Sequence, residues 1–105
     1  MPDESFRLGF NPGDPEGAPP LIFVDSSNVE SWRWWDESVY GHTGAAQKGE
    51  STLEVWFKAR PGSPRRGYYY YNVSQSVWLQ LQAAASKGGE LDRLVKKAGL
   101  RYQPI

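Results

Sequence analysis

The chain contains no cysteine and only one histidine and one methionine among its 105 residues. The absence of cysteine excludes a disulfide framework, a thiolate nucleophile and a zinc site of the cysteine type. The longest apolar run near the start, Leu21 to Val24, covers four residues and is too short for a signal-peptide core or a membrane span. A chain of this length forms one small domain, and we expect a soluble, cytoplasmic protein that makes no membrane contact.

The single histidine, His42, has no recognisable partner for chemistry. A general base needs a positioned partner, and a metal site needs several ligands. Asp36 and Glu37 precede His42 without a ligand-like spacing. We therefore expect no catalytic residue, no metal, no cofactor and no enzymatic activity.

Charge is balanced in total but divided unevenly along the chain. Residues 1–50 carry nine acidic and three basic side chains, whereas residues 51–105 carry three acidic and nine basic ones. The two halves therefore carry opposite net charges, which could steer an anionic partner to one side. The neutral total is not the basic balance typical of a nucleic-acid-binding domain.

The N-terminal segment, Met1 to Pro20, holds five of the eight prolines. Such a segment cannot form a packed core alone. Phe6, Leu8 and Phe10 alternate in a way that suits an extended arm lying on a surface, either of this chain or of a partner. We predict a proline-rich arm over residues 1–20 and a folded domain over residues 21–105.

Three strands are predicted from apolar alternation and turn residues: Val29 to Trp35, Thr52 to Ala59, and Gly67 to Val73. A further short strand is possible at Leu21 to Val24. The glycine-containing segment Asp36 to Ser51 is predicted as a long loop.

Two helices follow the strands. Ser74 suits the N-cap of the first helix, and Lys87-Gly88-Gly89 is predicted to end it. Ser86 to Gly89 would then lie at a helix C-terminus, where the helix dipole repels phosphate. The second helix is predicted to begin near Glu90 and to close at Gly99. The fold class is therefore α+β, a three-stranded antiparallel meander followed by two helices packed on one face. The predicted apolar helix positions are Val77, Trp78, Leu81, Ala84, Ala85, Leu91, Leu94, Val95 and Ala98.

Five motifs stand between Asp25 and Tyr102: Ser26-Ser27-Asn28-Val29, Leu53-Glu54-Val55-Trp56-Phe57, Tyr68 and Tyr70, Asn72-Val73, and Ala84-Ala85-Ser86-Lys87-Gly88. In these motifs, residues from about Asp25 to Tyr102 resemble the KTSC domain, found at the C-terminus of some lysyl-tRNA synthetases and as a stand-alone bacterial or phage protein. The resemblance implies the α+β fold and suggests RNA binding, and its range adds the virion as a location if the chain is phage-encoded. No synthetase link is implied, because no synthetase domain is present.

The tyrosine run Tyr68 to Tyr71 divides between the two faces of its strand. We assign Tyr68 and Tyr70 to the core beneath the helices, which leaves Tyr69 as the candidate contact residue of the run. The sheet face turned away from the helices could stack bases, bind a protein, or be covered by the chain's own N-terminal segments. The predicted partner-binding residues are Phe6, Leu8, Phe10, Arg33, Trp35, Trp56 and Tyr69.

A second set of candidates is basic. Its members could contact phosphates, or could form a solvated helix face and loop tip. Our leading hypothesis is a non-enzymatic interaction module that binds a protein partner in a larger assembly, such as a phage particle. The alternative is binding of RNA or another single-stranded nucleic acid; the oligomeric state is not predicted. The candidate phosphate contacts are Arg65, Arg66, Arg93, Lys96 and Lys97.

Overall fold

The computed structural model describes residues 8–37 and 44–105, without the side chain of Leu8. In this part of the chain, six strands form one antiparallel sheet in which neighbours in space are also neighbours in sequence. The strands are β1 (Leu8–Gly9), β2 (Leu21–Phe23), β3 (Val29–Trp35), β4 (Thr52–Phe57), β5 (Arg66–Tyr71) and β6 (Tyr102–Pro104).

The prediction of an α+β domain with an antiparallel sheet is confirmed, but three strands was too few. The three predicted strands correspond to β3, β4 and β5, and the possible strand at Leu21 to Val24 is β2. β6 was not predicted, because three residues ending in Pro104 carry no strand signal of their own. A proline is tolerated there because β6 pairs only with β5 and lies at the sheet edge.

Both helices lie on one face of the sheet, as predicted. Helix α1 covers Gln75–Ala83, and its N-cap Ser74 accepts the Val77 amide at 3.2 Å. Helix α2 covers Lys87–Leu91 and continues into a π-helical turn, Asp92–Lys96, where the Lys97 amide donates to the Asp92 carbonyl at 2.8 Å. No helix in the described ranges has the length and apolar character to cross a membrane.

The predicted boundary between the helices was wrong. Ser86 caps the start of α2 by accepting the Gly89 amide at 3.3 Å, so this segment lies at a helix N-terminus. Helix α1 ends earlier because the Lys87 ammonium donates to two of its last carbonyls, each at 2.7 Å. Position 88 inside α2 requires glycine, because a Cβ there would lie 2.6 Å from Asn28 Oδ1.

The main core lies between the sheet and the two helices. Its centre is an edge-to-face pair, Trp32 of β3 and Trp78 of α1, whose ring centroids are 5.7 Å apart. Burial of each large apolar side chain contributes roughly 1.5–3 kcal/mol. The fully buried members around this pair are Val29, Leu53, Val55, Val73, Leu81, Leu91 and Val95.

The opposite face of the sheet is covered by the described part of the arm. Asn11-Pro12-Gly13-Asp14 forms a β-turn closed by the Asp14 amide donating to the Asn11 carbonyl at 3.1 Å. Gly13 has φ 83°, which the third position of this turn requires. The turn places the Asp14 carboxylate over the guanidinium of Arg33, with contacts of 2.7 and 2.8 Å.

Arg33 and Glu54 form the polar centre beneath the arm. Arg33 donates to Glu54 at 2.9 Å and to the Pro19 carbonyl at 3.0 Å. Glu54 also accepts from the indoles of Trp35 at 2.9 Å and Trp56 at 2.6 Å, and from the Asn11 amide at 3.3 Å. Because every buried side-chain polar atom of the described residues has a partner, this layer is stable despite its charge.

We predict that Glu54→Ala lowers the free energy of unfolding by about 3–5 kcal/mol, because Arg33 then keeps a buried charge with one carboxylate fewer. Glu54→Gln retains one oxygen acceptor and is expected to lose less. Urea unfolding followed by tryptophan fluorescence measures both. Glu90→Ala is the control, because its partner Arg93 is exposed; equal losses in Glu54→Ala and Glu90→Ala would contradict the prediction.

Candidate functional site

The predicted contact face is largely occupied by the chain itself. Arg33 and Trp35 point away from the helices as predicted, but each is only 2% exposed beneath the arm. Trp56 and Tyr69 are half-buried and border a shallow groove of about 400 Å³ between arm and sheet. The Arg65 guanidinium covers the Trp56 ring, 4.0 Å from its centroid.

The remaining predicted partner-binding residues belong to the arm. Phe10 is 64% exposed. Phe6 and the side chain of Leu8 lie outside the described residues, as does His42. The arm segment from Asn11 to Pro19 covers the sheet, so covering by the chain itself is observed, although through residues other than the apolar ones we expected.

The five predicted phosphate contacts separate into two groups. Arg65 pairs with Glu30 at 2.7 Å, Arg93 with Glu90 at 2.7 Å, and Lys97 with Asp92 at 3.2 Å. Arg66 and Lys96 are exposed and form no ion pair with any described residue. These two side chains lie in the same groove, on the other side of the molecule from the arm.

We call this depression the tyrosine groove. It has a volume of about 570 Å³, within the range of ligand-binding pockets. It lies where the β5–β6 edge of the sheet meets the segment after the π-helical turn. Gly99, which has a positive φ, is part of this segment and lines the groove. Its lining residues are Asn28, Phe57, Lys58, Arg60, Arg66, Tyr68, Tyr70, Lys96, Gly99, Leu100 and Tyr102.

Four aromatic rings contribute to the groove. The Tyr68 ring contacts the Phe57 ring edge-to-face, with 5.9 Å between centroids. It also contacts the Tyr70 ring in a tilted arrangement, with 6.3 Å between centroids. Tyr102 of β6 approaches Tyr68 at 6.2 Å and Tyr70 at 6.0 Å, and remains 61% exposed. Tyr102 therefore offers an accessible ring supported from below by two others.

The phenol of Tyr70 is neutral at physiological pH. Burial, with smaller contributions in the same direction from the neighbouring Tyr68 and Tyr102, raises its pKa to about 12. The ring therefore adds no negative charge to the groove. The groove's charge is set by its lysines and arginines.

Four cations line the groove together with these rings: Lys58, Arg60, Arg66 and Lys96. All four are exposed, and no described carboxylate pairs with them or lines the groove. Lys58 donates to the Ser26 carbonyl, and the Lys96 ammonium lies 4.7 Å from the centroid of Phe57. By contrast, the cations with ion pairs lie elsewhere: Arg33, Arg65, Arg93, Lys97 and Arg101.

A second groove of about 560 Å³ adjoins the first and shares Asn28 and Arg60 with it. It lies between the loop before β3 and the start of α2. Among the motifs that carry the KTSC resemblance, Tyr68 and Tyr70 line the first groove and the motifs around Ser26 and Ser86 contribute to the second, whereas Asn72 and Val73 line neither. The remaining lining residues of the second are Asp25, Ser26, Ser27, Ala85, Ser86, Lys87, Gly88 and Gly89.

Sequence reasoning did not find most of the tyrosine groove. Tyr68 and Tyr70 were assigned to the core, where Tyr70 is buried and Tyr68 packs against it, but both also line the groove. Tyr102 lies on the strand that was not predicted, and Lys58 and Arg60 lie just after β4. The available signal was the excess of basic residues after residue 50. In the described residues, no group of three or more histidines and carboxylates could hold a metal ion.

We predict that the protein loses stability in alkali as Tyr70 ionises. A pKa raised from about 10 in the unfolded chain to about 12 in the folded one means that the folded state binds the proton more tightly. The free energy of unfolding therefore falls as pH rises across this window. Urea unfolding at a series of pH values should show a smaller decline for Tyr70→Phe than for the unchanged protein. Equal declines would contradict the assignment.

No family model matches the chain, and no curated protein matches it. The resemblance to the KTSC domain therefore stays a prediction from the motifs.

Proposed function

We propose that the protein is a non-enzymatic binding module that takes an anionic partner in the tyrosine groove. The observation that carries the proposal is that the cations of this groove lack the carboxylate partners that most other described cations have. Lys58, Arg60, Arg66 and Lys96 line one concave aromatic surface, and none of them pairs with a carboxylate of the described residues. Unpaired cations that converge in this way attract an anion and raise the rate of its association.

Charge neutralisation supports this proposal over a purely structural role for the four residues. Most basic residues elsewhere in the described chain are held by carboxylates, as Arg101 is by Glu50 at 2.6 Å. A cluster of like charges opposes folding by repulsion, and a bound anion relieves it. The groove's lining holds no carboxylate or histidine placed as a base, which favours binding over catalysis.

The hypothesis of an arm that docks on a protein partner in a larger assembly has less support. Asn11, Asp14 and Pro19 bind the arm to the protein's own sheet. Among the described residues of the arm, Phe10 is the exposed ring left for a partner, and one exposed aromatic residue is ordinary on a protein surface. We therefore place the binding site at the tyrosine groove and not on the arm.

The double variant Arg66→Ala, Lys96→Ala tests the proposal. Heparin serves as the polyanionic probe, and its dissociation constant is measured by titration calorimetry at several salt concentrations. The slope of log affinity against log salt scales with the number of cations that meet the polyanion. Removing two of four should reduce this slope by about half.

A matched control removes the same charge from adjacent residues. Arg65→Ala, Lys97→Ala changes two cations that are already paired with Glu30 and Asp92. Its affinity and salt slope for heparin should stay close to those of the unchanged protein. If the two double variants weaken binding equally, or if the protein does not bind heparin, the groove is not an anion site.

A further inference from the structure

The aromatic rings of the tyrosine groove indicate which chemical group the partner has besides its negative charge. A simple acidic patch on a partner would need only positive charge. Here Tyr102 presents a ring that is 61% exposed, and Tyr68 and Tyr70 pack against it with centroids 6.0–6.2 Å away. An exposed ring held by other rings is ordered before a ligand arrives, so little entropy is lost when a flat group stacks on it.

The cations lie toward one end of these rings. Lys96 lies over Phe57, and Arg66 at the start of β5 pairs directly with Phe57 across the sheet. Arg60 lies at the junction with the second groove, because it lines both. A ligand that crosses the groove therefore meets positive charge around Phe57 and then the aromatic surface of Tyr68, Tyr70 and Tyr102.

We propose that the anionic partner is a single-stranded nucleic acid, whose phosphates meet Arg60, Arg66 and Lys96 and one of whose bases stacks on Tyr102. This inference rests on the proposed function and names the partner at that site. Each nucleotide of a nucleic-acid strand joins an anionic phosphate to a flat ring, and the groove likewise places cations around Phe57 next to the exposed ring of Tyr102. An acidic peptide supplies the charge but no series of flat rings.

A single strand fits this surface better than a duplex. In a duplex, the faces of the bases are stacked on one another and are not available to Tyr102. The groove is concave and about 570 Å³ in volume, so it admits a few nucleotides and not the width of a helix. The second groove, reached past Arg60, lets the strand continue toward Ser27 and Gly88.

Stacking on a tyrosine ring does not depend on the identity of the base. We therefore expect little sequence preference, and similar binding of RNA and DNA unless the polar second groove contacts the ribose hydroxyl.

The experiment measures fluorescence anisotropy with labelled oligouridylate, oligothymidylate, a DNA duplex of equal length and polyglutamate. The unchanged protein should bind the single strands more tightly than the duplex or polyglutamate. With three cations on the phosphates of a single strand, log affinity should fall with log salt at a slope of about −2, so affinity drops about 20-fold between about 50 and 200 mM salt.

Variants at Tyr102 separate stacking from charge. Tyr102→Ala should weaken binding of the single strands about tenfold, since each stacked base contributes appreciably, while the salt slope stays unchanged. Tyr102→Phe keeps the ring and should retain affinity. Leu79→Ala is the control, because Leu79 is also exposed, at 56%, but lies outside the groove.

The outcomes distinguish this inference from the proposed function. Polyglutamate binding as tight as that of the single strands, or affinity unchanged in Tyr102→Ala, overturns the nucleic-acid assignment while leaving an anion site. Preference for the duplex also overturns it. The nucleic-acid assignment is supported if single-strand binding weakens both in the double variant Arg66→Ala, Lys96→Ala and in the single variant Tyr102→Ala, but not in Leu79→Ala.

Discussion

The structure depends on the ion pair between Arg33 and Glu54, which joins β3 to β4 beneath the N-terminal arm. Both side chains are nearly inaccessible to water, and their N to O distance is 2.9 Å. Charges so deeply buried are tolerated because Asp14, two indoles and a backbone carbonyl complete their hydrogen bonds. The same contacts hold the arm in place, so the sheet has an apolar layer on one face and a polar, tryptophan-rich layer on the other.

This arrangement decides where the protein can meet a partner. With Arg33 and Trp35 covered, the arm side has a shallow groove beside Trp56 and Tyr69. The open, positively charged surface lies at the opposite edge, where β6 adds Tyr102 to the rings of β5. The π-helical turn and Gly99 bring Lys96 and Leu100 to the same groove. Cations without carboxylates and rings without a cover therefore meet at one place.

The sequence allowed the central elements to be predicted because their signals are local. Alternation along Val29–Trp35 and Thr52–Phe57 and the cap at Ser74 do not depend on distant residues. The boundary at Lys87 was predicted wrongly because glycines usually end helices. Here the lysine side chain reaches back to the end of α1, and Gly88 makes room for Asn28, which is 60 residues away in sequence. β6 was missed because its strand character comes entirely from pairing with β5.

The sequence by itself determined the α+β class, the absence of cysteine chemistry, and the pool of tryptophans, tyrosines and basic residues from which a site could be built. Only the tertiary structure decided which of them are used up internally. Arg65 and Arg66 are neighbours in sequence, yet Arg65 is paired with Glu30 and Arg66 is free in the groove. Lys96 and Lys97 differ in the same way. Pairing depends on which carboxylates the folded chain brings within reach, and that distance is set by long-range packing, which no local pattern encodes.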